Sequence, residues 1–355
     1  MDNLTTEHSE TAAPSTQRDG QPGRRGARSR GRLLLLAVLA ALLAVVLAVA
    51  GAAWWAVRNV SNSIERIPDA FEIPEEARPA PAEDGTLNIL LAGLDSEDSG
   101  EAFEKGEART DAVMILHVDQ KREEAYLISI PRDTWVPIPG HGENKINAAY
   151  SFGGPSLYVQ TIEDLTGLRM DHLAVIDWRG FRVLTDALGG VELTFDEPVV
   201  TWDGTTYEPG THTLSGDEAL QYVRERKALP AGDFDRVKRQ QNYLRALMRQ
   251  LQAADVMSEP GRLLDIVDAF GEAAKVDDEL SATALVGLGL SLRDLDAEST
   301  TFLTVPTNGT GWAGKASIVV YDRETADLLW SAVREDDVGS FVAANADLVT
   351  GELVN

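Results

Sequence analysis

The chain has 355 residues, of which 44% are hydrophobic and 25% charged, and it carries a formal net charge of −25. That balance suits a packed core under an acidic surface, and it opposes general binding to nucleic acid or other anionic polymers. It contains no cysteine, which excludes disulfide frameworks, thiolate metal sites and cysteine nucleophiles.

Residues 1–32, rich in Ser, Thr, Gly, Pro and Arg, hold too few apolar groups to fold and are predicted to be a disordered basic tail. Leu33–Val57 is a run of 25 residues without a charge, and about 20 apolar residues suffice to cross a bilayer as a helix. Arg24, Arg25, Arg28, Arg30 and Arg32 precede it, and Trp54 and Trp55 close it. The positive-inside bias then puts the tail in the cytoplasm and everything after Val57 outside. A cleaved signal peptide fits less well, because its apolar core is only about 7–15 residues. Beyond Arg32, 26 Lys and Arg face 53 Asp and Glu. An anion bound by this −27 portion needs a local site.

Residues 58–86, dense in Pro and acids, read as a linker. From residue 87 to 337, short apolar runs alternate with helical patterns. Leu87–Leu94, Ala112–Val118 and Ala125–Ile130 read as strands. "GPSLYVQTIEDLTG" reads as a helix ended by Gly167, followed by the strand "LAVIDW", the helix "RGFRVLTDALGG" and the strand "VELTF". Ser215 and Glu218 stand at capping-box spacing before a helix that must end near Val223 if Arg224 and Arg226 are to share a face. A new helix begins around Asp233–Arg236, with Leu244, Leu247, Met248 and Leu251 as its apolar stripe. "TFLTVP" and "SIVVY" read as strands, "RETADLLWSAV" as a closing helix, and 338–355 as a C-terminal tail. This alternation predicts an α/β sandwich, a central mixed β-sheet flanked by helices, behind one N-terminal transmembrane helix.

No G-x-S-x-G elbow, H-E-x-x-H or Gly-rich phosphate loop is present, and the five histidines lack metal-ligand spacing. Short Arg/Asp motifs instead fall at element ends: Asp95 in "GLDSE", Arg109 and Asp111 in "RTD", Arg132 and Asp133 in "IPRDT", Lys145 and Asn147 in "NKIN". Carboxylates are the hard ligands Mg²⁺ prefers, and Arg presents a planar fork to phosphate oxygens. Any one such pair, taken alone, is more simply a solvated ion pair. "YVRERKALPAGDFDRVKRQQ", Tyr222–Gln241, packs six Lys or Arg beside three acids. Arg236 and Gln240 share a helical face close to that helix's positive end, so the stretch reads equally as an anion cradle or as a solvated basic face.

Together "NILLAGLD", "RTDAVMILHVD", "LISIPRDTWVPIPGHGENKINAAYSFGGP", "ALGGVEL", "LSGDEALQYVRERK" and "DFDRVKRQQ" resemble the LytR-CpsA-Psr family of cell-wall enzymes, from Leu87 to about Val333. The resemblance implies a phosphotransferase that moves a glycopolymer from a polyprenyl-pyrophosphate carrier onto a peptidoglycan hydroxyl, forming a phosphodiester bond. It implies Mg²⁺ (or Mn²⁺) on Asp95 and Asp111. Arg109, Arg132, Lys145, Arg224, Arg226, Arg236 and Gln240 would bind the pyrophosphate, and Asp233 would receive the acceptor proton. It also implies a hydrophobic groove for the polyprenyl tail. One position departs from the pattern: Glu97 stands where relatives commonly carry Arg.

Other readings compete. The same site would serve a pyrophosphatase acting on lipid-linked intermediates, transfer of the glycan to a surface protein, or a non-catalytic glycan-binding module. A DNA-binding regulator is opposed by the external placement and negative charge of the domain. The Ala-, Arg- and Asp-heavy usage suggests a high-GC Gram-positive bacterium.

Overall fold

The structure, a computed structural model, describes residues 64–82, 85–97, 109–253 and 268–352, all within the unit Trp55–Asn355. The tail expected at 1–32 and the membrane helix expected at 33–57 lie outside the described residues. Among the described residues no helix is long and apolar enough to cross a membrane.

Strands β1 (Glu65–Ile67), β2 (Leu87–Leu94), β3 (Thr110–Val118), β4 (Ala125–Ser129), β5 (Trp135–Ile138) and β6 (Gly142–Lys145) precede helix α1 (Ala148–Thr166). β7 (His172–Ile176), α2 (Trp178–Ala187), β8 (Val191–Phe195), β9 (Val199–Val200), β10 (Thr206–Tyr207), β11 (Gly210–Leu214), α3 (Gly216–Arg224) and α4 (Asp233–Ala253) follow. The chain then runs through β12 (Ala274–Asp277), α5 (Ala282–Ser291), β13 (Thr300–Thr304), β14 (Thr307–Ala313), β15 (Ala316–Tyr321), α6 (Arg323–Arg334) and α7 (Val338–Ala344).

Seven strands make the central sheet in the order β1-β12-β7-β2-β3-β4-β13. β1–β12, β2–β7 and β4–β13 pair parallel, while β2–β3, β3–β4 and β7–β12 pair antiparallel. The sheet is therefore mixed, as the alternation predicted. Its central strands are covered on both faces, which is why β4 is buried at all five positions and reads as a continuous apolar run rather than an alternating one. On one face Leu90, Ile115 and Ile128 pack with Tyr158 and Ile162 of α1 and Trp330 of α6. On the other, Met114, Leu127 and Phe302 meet Leu244 and Met248 of α4. A separate core joins α2, α3, α4 and β8 through Leu193, Tyr222 and Tyr243.

The predicted helix over 154–167 is the second half of α1. Gly153 and Gly154 leave helical geometry, Gly154 at φ 66°, and Pro155 restarts the helix where its missing N–H costs nothing. Gly167 ends it at φ 64°.

Two segments that read as linker and tail are folded where they are described. Within 58–86, Ile67, Ala70 and Ile73 sit in the main core, and Arg78 pairs with buried Glu163 at 2.7 Å. Apolar residues spaced among the acids and prolines are enough to dock this stretch. Within 338–355, Val338 and Phe341 of α7 are buried. Thr350 N–H then donates to the Phe302 carbonyl at 2.8 Å, and Arg245 of α4 donates to the Gly351 and Thr350 carbonyls at 2.6 and 2.8 Å.

Candidate active site

β2, β4 and β7 run in one direction and β3 in the other. The start of β3 therefore lies beside the carboxyl ends of the other three, the edge where open α/β sheets bind ligands. Asp95 follows β2, Asp111 stands at the start of β3, Arg132 follows β4 and Trp178 follows β7. The Asp95 N–H donates to the Arg109 carbonyl at 3.0 Å, tying the first of these ends to the second. Opposite them the break between α3 and α4 delivers Arg224, Asp233 and Arg236. Glu218 accepts from Ser215 N–H at 2.9 Å and caps α3. That helix ends at Arg224 because Glu225 turns extended, at ψ 135°.

Asp111 is the hub. Arg132 donates to one of its carboxylate oxygens, and Arg236 lies 3.4 Å from the other while also donating to the Asp111 carbonyl at 3.3 Å. Asp233 stands 2.7 Å from Arg236 and 3.8 Å from Arg132. Both Asp233 oxygens are buried without an aligned hydrogen bond among the described residues. Burial pushes the Asp233 carboxyl above its ordinary value despite Arg236 and Arg132. Asp95 is raised too, by burial and by the neighbouring Asp111 charge, with Arg224, 4.0 Å away, opposing. Arg236, only 3% exposed in its side chain, is pulled below its ordinary value by desolvation against the attraction of Asp233.

Six of the ten expected residues thus converge: Asp95, Asp111, Arg132, Arg224, Asp233 and Arg236. Gln240 joins them as a lining residue of the adjoining cavity. Lys145 is one step removed, 3.0 Å from Asp133. Asn147 stands at the N-terminal boundary of α1 and donates through its backbone N–H to the Arg132 carbonyl at 3.3 Å, so it orders the Arg132 loop. Arg109 is exposed and makes no ion pair among the described residues. Arg226 follows the extended Glu225, but only Arg224 of the two lines the cavity. Glu97 pairs with Arg182 of α2 at 2.5 Å, so the acid has a cation of its own nearby.

The cavity lies between the sheet and helices α2, α3 and α4, with an empty volume of about 1230 Å³ counting its open mouth. Leu91, Met114, Ile176, Phe181, Leu244 and Leu247 make it apolar, while Asp111, Asp177, Arg224 and Arg236 supply its charged lining. One chamber thus joins an oily wall to the Asp/Arg cluster.

The donor set fits Mg²⁺. Asp95 and Asp111 are hard carboxylates, the Asp111 charge close enough to raise the Asp95 carboxyl, and Mg²⁺ takes one or two carboxylates with waters and phosphate oxygens completing its shell. No group of three or more His, Cys, Asp or Glu gathers for a metal among the described residues. The histidines are structural where they are buried: His117 bonds Asn88 through Nδ1 at 2.8 Å.

Two aromatic residues escaped the sequence reading. Trp178 and Trp202 both lie under Arg224, whose Cζ is 3.8 Å and 5.5 Å from their ring centroids. The available signal was a tryptophan directly after a strand in "IDWRG" and another in the turn "TWDG".

The profile of the LytR_cpsA_psr family matches residues 58–335. The cell wall biosynthesis protein LcpA of Corynebacterium glutamicum is 30% identical over 285 residues, 67% of this chain and 54% of LcpA. The polyisoprenyl-teichoic acid–peptidoglycan teichoic acid transferase TagU of Halalkalibacterium halodurans is 37% identical over 196 residues, 55% of this chain and 62% of TagU. The chain thus spans a little over half the length of these relatives. Among solved structures, TagT bound to LI-WTA aligns with a TM-score of 0.58 at 25% identity, covering 74% of this chain and 95% of TagT. The LytR-Csp2A-Psr enzyme from Actinomyces oris aligns with a TM-score of 0.58 at 24% identity, over 76% of this chain and 95% of that one, a likeness of fold.

Proposed function

The chain belongs to the LytR-CpsA-Psr family, and from that premise we propose that it is an extracytoplasmic phosphotransferase. It moves a glycopolymer from a polyprenyl-pyrophosphate carrier to a peptidoglycan hydroxyl by forming a phosphodiester bond. Residues 33–57 anchor it in the membrane, with the N-terminal tail in the cytoplasm. The observation that carries this reading is the single chamber whose apolar walls share their lining with Asp111, Arg224 and Arg236. A polyprenyl diphosphate is a long oily chain ending in a compact anion, and the chamber matches both parts. The name of TagU, a polyisoprenyl-teichoic acid–peptidoglycan teichoic acid transferase, supports this reading, and that of LcpA supports a role in cell wall biosynthesis.

The polyprenyl chain lies against the walls provided by Leu91, Met114, Phe181 and Leu244. Its diphosphate meets Arg132, Arg224 and Arg236, which hold it and counter the charge that develops on the leaving polyprenyl phosphate. Asp95 and Asp111 would hold Mg²⁺, which would neutralise diphosphate charge and polarise a phosphoryl oxygen. The acceptor oxygen bonds to the sugar-linked phosphorus as the bond from that phosphorus to the bridging oxygen breaks. Asp233 receives the acceptor proton. Its raised carboxyl value and unaligned oxygens suit a proton acceptor better than an ordinary surface aspartate would.

The test supplies the full chain, in detergent, with a polyprenyl-pyrophosphate-linked oligosaccharide, Mg²⁺ and peptidoglycan fragments. The expected products are polyprenyl phosphate and glycan joined to peptidoglycan. Free phosphorylated glycan would mean a pyrophosphatase instead. Arg132→Ala and Arg224→Ala are each expected to abolish transfer in a folded chain, and wild-type activity in both would overturn the site.

A further inference from the structure

Arg224 is held differently from the other arginines of the cluster. Arg132 and Arg236 spend N–H donors on Asp111. Arg224 makes no hydrogen bond with its side chain among the described residues, and its one ion-pair contact, to Asp95, is at the 4.0 Å limit. What it has is aromatic surface on two sides of the chain: Trp178 at the start of α2 and Trp202 in the turn between β9 and β10. A cation over a ring gains electrostatic energy from the ring's negative face while keeping its N–H donors for another partner. A guanidinium fixed in this way is a fork with its tines unspent.

The backbone that carries each ring is held in place. The Trp178 backbone N–H donates to the Ser96 carbonyl at 3.0 Å, one residue beyond Asp95. The Trp202 backbone N–H donates to the Gln221 carbonyl of α3 at 3.2 Å. Buried Arg239 of α4 donates to the Val200 carbonyl at 3.1 Å, pinning the strand that leads into Trp202. Lys227 sits 4.6 Å from the Trp202 centroid, a second cation on the same indole. Trp202 is nonetheless 39% exposed. Burying it does not explain its place, whereas two cations over its ring do.

We propose that Trp178 and Trp202 are positioning residues that preset Arg224 as the anion-receiving fork of the site, with Trp202 acting from a hairpin outside the catalytic sheet. The ligand is a diphosphate, and the proposal rests on the phosphotransferase reading above. Arg132 and Arg236 keep Asp111 and Asp233 in place, and Arg224 receives the diphosphate with donors that need not first be freed.

The experiment titrates the full chain with inorganic pyrophosphate in Mg²⁺ and measures the dissociation constant for wild type, Trp202→Phe, Trp202→Leu and Trp178→Phe. One partly exposed cation–π contact accounts for about a two- to fivefold change in affinity. Trp202→Leu is expected to bind about two- to fivefold more weakly, with an unchanged melting temperature because the residue is at the surface. Both Phe variants are expected to stay near wild type, since the ring face is kept. Leu binding as tightly as wild type, or Phe failing as badly as Leu, overturns the positioning role and leaves the phosphotransferase reading standing. Wild type that does not bind pyrophosphate overturns both.

Discussion

Replacing Arg236 by Met tests whether the Asp/Arg cluster is one electrostatic unit. The side chain is 3% exposed, 2.7 Å from Asp233 and 3.4 Å from Asp111. Met fills similar volume but leaves two carboxylates facing Arg132 alone. Removing one partner of a buried pair costs about 3–5 kcal/mol, mostly as the penalty of an unpaired buried charge. Arg132 still faces both acids, so the lower end, about 3 kcal/mol, applies. At about 2–4 °C per kcal/mol for a domain of this size, the melting temperature should fall by about 6–12 °C. The double variant Arg236→Met/Asp233→Leu removes the stranded charge as well, and should recover about 1–3 kcal/mol relative to additive single effects. Thermal scans of wild type, both single variants and the double variant in the same detergent give the cycle. Transfer activity should stay absent in the double variant although its stability returns. An unchanged melting temperature for Arg236→Met, or strictly additive effects, would refute the reasoning.

Three further expectations follow from other parts of the molecule. Burial holds the Asp171 carboxyl above its ordinary value of 3.8, against the bond it accepts from Asn88 N–H at 2.7 Å. The folded chain then binds that proton more tightly than the unfolded chain. This contribution to stability is full below pH 3.8 and is lost as the pH rises through the folded value; the stability of wild type relative to Asp171→Asn should fall over that range. Mg²⁺ added with pyrophosphate should raise the melting temperature of wild type but not of Asp111→Asn, and chelation should stop transfer. At Gly180 an added Cβ would stand 2.0 Å from the Ala273 carbonyl oxygen, so Gly180→Ala should cost about 1–3 kcal/mol, seen as a lower melting temperature.

The strands Leu87–Leu94 and Val191–Phe195 were legible to the residue because an apolar run in the first and an apolar/polar alternation in the second stop at charged residues, Asp95 and Asp196. The convergence of Asp95, Asp111 and Arg132 could be read from motifs at strand ends, since sheet topology brings such ends to one edge. Arg226 shows the limit of that reasoning. Two-residue spacing puts two side chains on one face only where both residues are extended, and Arg224 closes a helix. β1 and β12 could not be read, because each is three or four residues long and gains its identity only from a partner far away in sequence. Trp202 was missed because a tryptophan in a turn signals nothing until α3 brings Arg224 and Lys227 over it. The stretches at 64–82 and 338–352 were hidden by proline and acid content, which masks the few apolar side chains that dock them.

The order of the sheet also sets a timetable. Among the described residues β1 is the first strand made, yet its neighbour is β12, and the bond from Arg66 to the Asp277 carbonyl spans 211 residues. At roughly 5–20 residues per second of synthesis, that strand waits on the order of 10–40 s before its partner exists. β4 likewise waits for β13. Pairings so distant make folding slow, and they leave open strand edges exposed while the chain is being made. The sheet can close only after Thr304 has emerged, so protection of the nascent chain over that interval is a requirement written into its topology.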